Sequence, residues 1–241
     1  MSNKEFMEAC KSGNEFEIQD VLRNRQSDLS ASDNWLLRWA SRRGYTAAVR
    51  VLLRYDCVDP SDCNNYAIRW ACRKGYLGIV QMLLYFTVVD PSVDNNHALR
   101  HAIYNGHLII AHMLLLDGRV DPSDDNNYTI RWMSTWGRVE ANRFLMRDKR
   151  VDPSADNNYA IRSASRNGRL ETVRLLLRDE RVDPYAKNNE AVEYALKHCN
   201  SEVADLLLNY RDKIKLTVRM CLKRLKVCKD IRNVIVKKLK L

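Results

Sequence analysis

No stretch of this 241-residue chain approaches the run of roughly 18 apolar residues that a membrane-spanning helix needs. The N-terminal Met-Ser-Asn-Lys-Glu-Phe is polar and lacks the apolar core of an export signal. Cysteines are few, odd in number and scattered, at Cys10, Cys57, Cys63, Cys72, Cys199, Cys221 and Cys228, which does not suit a disulfide framework. A reduced, intracellular protein of cytoplasm or nucleus is therefore expected. Catalytic patterns are missing as well. There is no G-x-S-x-G, no phosphate-binding glycine loop, no H-E-x-x-H and no C-x-x-C. The expectation is a non-enzymatic protein with no cofactor and no metal.

Proline and glycine are scarce, and their placement is informative. All five prolines sit in Asp-Pro pairs, at Asp59-Pro60, Asp90-Pro91, Asp121-Pro122, Asp152-Pro153 and Asp183-Pro184, each 31 residues after the last. Six of the eight glycines keep the same period: Gly13, Gly44, Gly75, Gly106, Gly137 and Gly168. So do Ala9, Ala40, Ala71, Ala102, Ala164 and Ala195, with Met133 breaking the column. A fixed period of this size means a repeat array, in which each unit packs on its neighbours. Units begin at residues 1, 32, 63, 94, 125, 156 and 187. The array spans 1–217 and a tail spans 218–241.

The unit at 156–186 shows how one period folds. Asn157 and Asn158 precede an apolar-periodic run, where Asn can cap a helix N-terminus. Ile161, Ala164 and Ser165 then form one buried face, and Asn167-Gly168 ends the helix, glycine accepting the left-handed conformation of the stop. Leu170, Val173, Leu176 and Leu177 line the inner face of a second helix. Arg178 and Arg181 lie near its C-terminal end, where cations are favoured. Val182-Asp183-Pro184 gives an extended turn, because proline fixes its own φ and restricts the residue before it.

Ile161-Arg162-x-Ala164, Asn167-Gly168-Arg169-Leu170 and Val173-x-Leu175-Leu176-Leu177 together resemble the ankyrin repeat, T-P-L-H-x-A-A-x-x-G-H followed by V-V-x-x-L-L. The resemblance covers units 2 to 6, with units 1 and 7 as caps. It implies an all-α ankyrin-repeat solenoid of helix-turn-helix units with short loops, and a role in binding other proteins. The 31-residue unit is shorter than the family's usual 33, so the projecting loops should be turn-like. The family's Thr-Pro is replaced by Tyr66-Ala67, His97-Ala98, Tyr128-Thr129 and Tyr159-Ala160, and its His by Arg38, Arg69, Arg100, Arg131 and Arg162. In style the repeats resemble ankyrin proteins of large amoeba-infecting DNA viruses and some protists. The family's binding face implies partner contacts at Trp39, Trp70, His101, Trp132 and Tyr194, with Arg43, Lys74, Asn105 and Trp136 one turn later. Trp, Tyr and Arg are the residue types that dominate binding energy. The alternative for these rings is packing between neighbouring helices. A monomer is expected.

The Arg column admits two readings: a basic spine for anions, or structural pairing with the recurring Asp. Regularity over five units favours structure. His97 and His101 stand at i, i+4, a spacing that could hold a metal, but two ligands are too few and both replace recurring aromatics. Unit 5 breaks the repeat rules with Met133, Asn142 and Trp136 together, and local rules tend to fail where function has a claim.

The net charge of +10 is localised. Residues 211–241 carry twelve Lys or Arg against two acids, leaving 28 of each in residues 1–210. The tail reads as a basic amphipathic helical cap, with Ile214, Val218, Cys221, Leu225, Cys228, Ile231, Ile235 and Leu239 in a stripe. Lys223, Arg224, Lys226 and Lys229 are its candidate anion contacts, for nucleic acid or an acidic membrane surface.

Overall fold

The computed structural model describes residues 3–23 and 34–210. Helices alternate with turns: α1 Asn3–Ser12, α2 Glu15–Arg23, α3 Trp35–Arg43, α4 Thr46–Leu52, α5 Asp62–Lys74, α6 Leu77–Leu84, α7 Val93–Tyr104 and α8 Leu108–Leu116. They continue with α9 Asp124–Thr135, α10 Val139–Leu145, α11 Ala155–Arg166, α12 Leu170–Leu176 and α13 Ala186–Lys197, and residues 201–210 are again helical (α14). No strand occurs among the described residues. The basic tail lies outside them, including Lys223, Arg224, Lys226, Lys229 and the cap expected there.

The chain divides into two compact units, one of Met1–Thr129 with Phe144–Val151, the other of Ile130–Arg143 with Asp152–Leu241. In the first, α3 packs on α5 and α5 on α7, while α2, α4, α6 and α8 form the second layer. In the second, α11 packs on α12 and α13. Ala40, Ala71, Ala102, Ala164 and Ala195 are fully buried in the first-helix column, where a larger side chain would hold the helices apart. Leu52, Leu83, Leu114 and Leu176 fill the space behind them.

The Asn pairs do not cap helices as the sequence suggests. Asp156, Asn157 and Asn158 have φ of 54°, 52° and 61°, a left-handed turn of three residues, and no side-chain cap bond forms at the start of α11. The same turn occurs at Cys63-Asn64-Asn65, Asp94-Asn95-Asn96, Asp125-Asn126-Asn127 and Lys187-Asn188-Asn189. Left-handed backbone costs an ordinary L-residue about 1–2 kcal/mol, and Asn and Asp tolerate it best. That explains the column more directly than capping does.

The side chains freed from capping close each repeat and join it to the next. The Oδ1 atoms of Asn34, Asn65 and Asn158 accept the backbone N–H of Asp59, Asp90 and Asp183, 25 residues on, at 2.7, 2.8 and 2.7 Å. Asn64 and Asn95 donate to Asp94 and Asp125 of the next left-handed turn at 3.0 and 2.9 Å. Each Asp that precedes proline closes its own turn. Asp152 Oδ1 accepts from both the N–H and the Oγ of Ser154, at 2.9 and 2.7 Å, and Asp59, Asp90 and Asp121 do likewise. The prolines and the valines Val89, Val120, Val151 and Val182 beside them are buried.

Two further arginine positions act on the second layer. Arg119 and Arg150 each pair with the Asp two residues before, Asp117 and Asp148, at 2.6 and 2.7 Å. Their guanidiniums hydrogen-bond these carboxylates and hold them below the usual Asp range. They also donate to backbone carbonyls of the preceding repeat, Arg119 to Leu84 and Arg150 to Leu115, both at 3.3 Å, satisfying helix-end acceptors. The cations that the sequence places near the helix ends thus tie one repeat to the last.

Candidate functional site

In the first compact unit, Trp39, Trp70 and His101 occupy one position on α3, α5 and α7. All three are half-buried. Trp39 belongs to an aromatic cluster: its ring lies 6.0 Å from Trp35, 6.2 Å from Phe6 and 5.1 Å from Tyr45. Trp70 lies 5.7 Å from Tyr66, and the guanidinium carbons of Arg42 and Arg73 stand 4.6 and 4.8 Å from its ring centroid. His101 lies 4.2 Å from His97. Each ring therefore packs inside the repeats as well as facing outward. Arg43, Lys74 and Asn105, one turn later, are exposed.

The two histidines are held as neutral rings. Burial lowers His97 to about 4, helped by His101, Arg69 and Arg100. Burial lowers His101 in turn, with Arg73 and Arg100 adding to it. Among the described residues, no group of three or more His, Cys, Asp or Glu side chains could hold a metal ion.

In the second unit, Trp132 lies on α9 and is half-buried, while Trp136 stands in the turn after it and is 51% exposed. The Trp136 N–H still donates to the Trp132 carbonyl at 3.3 Å, so helical spacing carries both rings to one side. Tyr194 on α13 is half-buried. Its hydroxyl donates to Glu190, and the guanidinium of Arg166 sits 5.7 Å from its ring. Two irregular residues of the fifth repeat, Met133 and Asn142, are buried. Met133 is fully buried, and buried Ser134 donates its hydroxyl to the Asn142 side chain at 3.2 Å. That bond satisfies the Asn142 Oδ1, while the buried Nδ2 has no partner among the described residues, so this polar residue in an apolar column is only half compensated.

Four of the five members of the Arg column pair with a carboxylate on the following first helix. Arg38 bonds Asp62, Arg69 bonds Asp94 at 2.7 Å, Arg131 bonds Asp156 at 3.2 Å, and Arg162 bonds Glu190. Arg100 donates to the Asn95 carbonyl at 2.7 Å and lies over the Tyr128 ring. Of the two readings, the geometry supports the structural one.

Two features escape a reading of the sequence alone. Arg42 and Arg73 flank the aromatic column, and their recurrence three residues after Trp39 and Trp70 was the available signal. The other is a shallow apolar cleft of about 410 Å³ on α4 and α6, where Tyr85 is 85% exposed beside Leu53, Met82 and Phe86. Neither place assembles a nucleophile with a base, and no helix of the described residues is long and apolar enough to cross a membrane.

Comparison with known proteins fits this geometry. Residues 37–126 match a model of ankyrin repeats in three copies, and residues 156–189 match the single ankyrin repeat. No curated protein matches the sequence. Among solved structures, the ankyrin repeat domain of Bcl-3, a member of the IkappaB family, is similar with a TM-score of 0.66 and 20% identity, over 85% of this chain and 97% of that one. An ankyrin repeat domain from Acinetobacter baumannii is similar with a TM-score of 0.58 and 22% identity, over 73% of this chain and 97% of that one. A chain from the complex of a Bdellovibrio bacteriovorus predatory endopeptidase with its immunity protein gives 0.58 and 22%, over 72% and 97%. These likenesses concern the fold. With the two models together spanning a little over half of its length, and with the repeat geometry they describe present in each compact unit, the chain belongs to the ankyrin-repeat family.

Proposed function

We propose that this protein is a non-enzymatic, intracellular scaffold that binds a partner protein through the ring-bearing side of its first helices. Ankyrin repeats are in general protein-interaction modules, and a neighbour in fold comes from an enzyme–immunity protein complex. The observation that carries the reading is Trp136. It stands 51% exposed one helical turn after half-buried Trp132, in the repeat whose sequence departs furthest from the others. Large exposed aromatics beside a rigid frame are what binding energy is concentrated on. Trp39, Trp70, Lys74 and His101 in the first compact unit, and Tyr194 in the second, complete the proposed contacts.

The test is a comparison of full-length proteins. Trp132→Ala with Trp136→Ala should weaken the complex with a partner captured from the native cell by about 2 kcal/mol or more. The same pair should lower the melting temperature far less than Leu176→Ala, a core truncation that costs about 2–5 kcal/mol. A double variant that melts like Leu176→Ala would make both tryptophans packing residues and remove this assignment.

A second reading rests on the charge of residues 211–241, twelve cations against two acids. In it the array over 1–217 positions a tail over 218–241 that binds nucleic acid or an anionic membrane. Neutralising several phosphates makes affinity fall steeply with salt, whereas an aromatic-centred protein contact changes little. Replacing Lys223, Arg224, Lys226 and Lys229 by Gln in the full chain should abolish salt-sensitive binding to DNA or anionic vesicles. Binding that survives the replacement sinks the second reading.

A further inference from the structure

Six arginines of the first compact unit are paired with carboxylates. Arg38, Arg50, Arg54, Arg69, Arg119 and Arg150 each have a carboxylate within ion-pair distance. Arg42, Arg43, Arg73 and Lys74 are exposed, and none of the four ion pairs found among the described residues of α3 and α5 and their surroundings includes them. They occupy the last turns of α3 and α5, two to each helix. Cations there favour the helix dipole, but the dipole does not require them. The corresponding positions at the ends of α7 and α9 hold Tyr104 with Asn105 and Thr135 with Trp136, and those helices form without the cations.

Two of the four are organised around one ring. The guanidiniums of Arg42 and Arg73, from successive repeats, lie 4.6 and 4.8 Å from the Trp70 centroid. An arginine held over an indole is restrained in orientation while its N–H edge stays available to a carboxylate. The positive potential reaches the next helix, where Arg73 helps to keep His101 uncharged, second to burial. We propose that the C-terminal ends of α3 and α5 form a receptor for an acidic, extended segment of the partner protein, with carboxylates on Arg42, Arg43, Arg73 and Lys74 and Trp70 as the floor. This deepens the scaffold reading and rests on it.

The spacing suits a peptide. Adjacent helices pack about 8–10 Å apart, and a chain extended in the polyproline II form advances about 3.1 Å per residue with every third side chain on the same face. Acidic side chains three residues apart therefore meet successive repeats. A single-stranded nucleic acid would also be drawn to the charge, but it is held largely by stacking bases on open rings. Here Trp70 already carries two guanidiniums, Trp39 sits among Phe6, Trp35 and Tyr45, and His101 lies on His97.

The experiment uses the full chain with Lys223, Arg224, Lys226 and Lys229 replaced by Gln, so that the tail does not contribute. The probe is a fluorescent peptide with Glu at every third position, compared with its Gln counterpart and with labelled oligothymidylate. The Glu peptide should bind with an affinity that falls with salt, and the Gln peptide about tenfold or more weaker. Arg42→Gln with Arg73→Gln should lose about tenfold in Glu-peptide affinity at unchanged melting temperature. Should that pair destabilise the fold, Arg43→Gln with Lys74→Gln, whose side chains are exposed, should give the loss instead. Arg174→Gln, an exposed cation of the second compact unit outside the proposed contacts, should leave peptide binding unchanged. Equal binding of Glu and Gln peptides, or Glu-peptide binding indifferent to all four substitutions, overturns the receptor while leaving the scaffold reading standing. Tighter binding of oligothymidylate through the same four residues overturns it in favour of nucleic acid.

Discussion

Asn158 accepts the backbone N–H of Asp183 through its Oδ1 at 2.7 Å, from a position that is itself left-handed at φ 61°. One side chain thus does two things: it tolerates the turn that starts a repeat, and it fastens the loop that ends that repeat. Asn158→Ala removes both and should destabilise the protein by about 1–3 kcal/mol in denaturant melts. Asn158→Gly restores the backbone freedom but not the bond, so it should fall between Ala and wild type. Equal stability of all three would mean that the bond contributes nothing.

His97 gives a pH dependence with a defined sign. Its folded-state value is lowered to about 4, against about 6.5 for an unfolded histidine. Between those values the unfolded chain binds more protons, so stability falls as pH drops through that window and this group adds nothing further below it. His101 is lowered in the same sense. His97→Tyr installs the residue found at Tyr66, Tyr128 and Tyr159, and should flatten the dependence of melting temperature on pH between about 4 and 6.5. An unchanged slope would show that His97 is not the group responsible.

Cys199 stands where six other repeats have glycine, and it retains the left-handed backbone with φ 57°. A side chain there is strained, so Cys199→Gly should stabilise the protein by about 1 kcal/mol, read as a rise in melting temperature. The reverse experiment is harsher. At Gly168, with φ +65°, a Cβ would fall 2.6 Å from the Asn200 side chain, which donates to the Ser165 and Arg166 carbonyls at 2.9 Å. Gly168→Ala should therefore destabilise by more than the conformational term alone, and Asn200→Ala in the same chain should recover part of the loss.

Deleting residues 156–186 removes one period and joins Ala155 to Lys187, whose left-handed φ of 52° matches that of Asp156. The shortened protein should fold with a lower melting temperature, as expected when stability is a sum over repeats and their interfaces. Deleting only residues 156–170 breaks the register and should abolish cooperative unfolding. Similar behaviour of the two deletions would show that the 31-residue period is not the structural unit.

The amino-acid sequence alone determined the period, the two helices of each repeat, the alanine column and the left-handed glycines, because these depend on residues within one helix or one turn. It also supplied the arginine column, though not its use. Tertiary structure decided that use, since Arg69 meets Asp94 only after one repeat has stacked on the next, and Asn158 meets Asp183 only once its own repeat has closed. The Asn pairs read as helix caps because a cap and a left-handed turn favour the same residue type, and only backbone dihedrals tell them apart. The aromatic column was visible, but not that Trp39 and His101 spend part of their surface on neighbouring rings. Nor could spacing show Arg42 reaching across to Trp70: that contact joins side chains 28 positions apart, and the distance between two helices sets it.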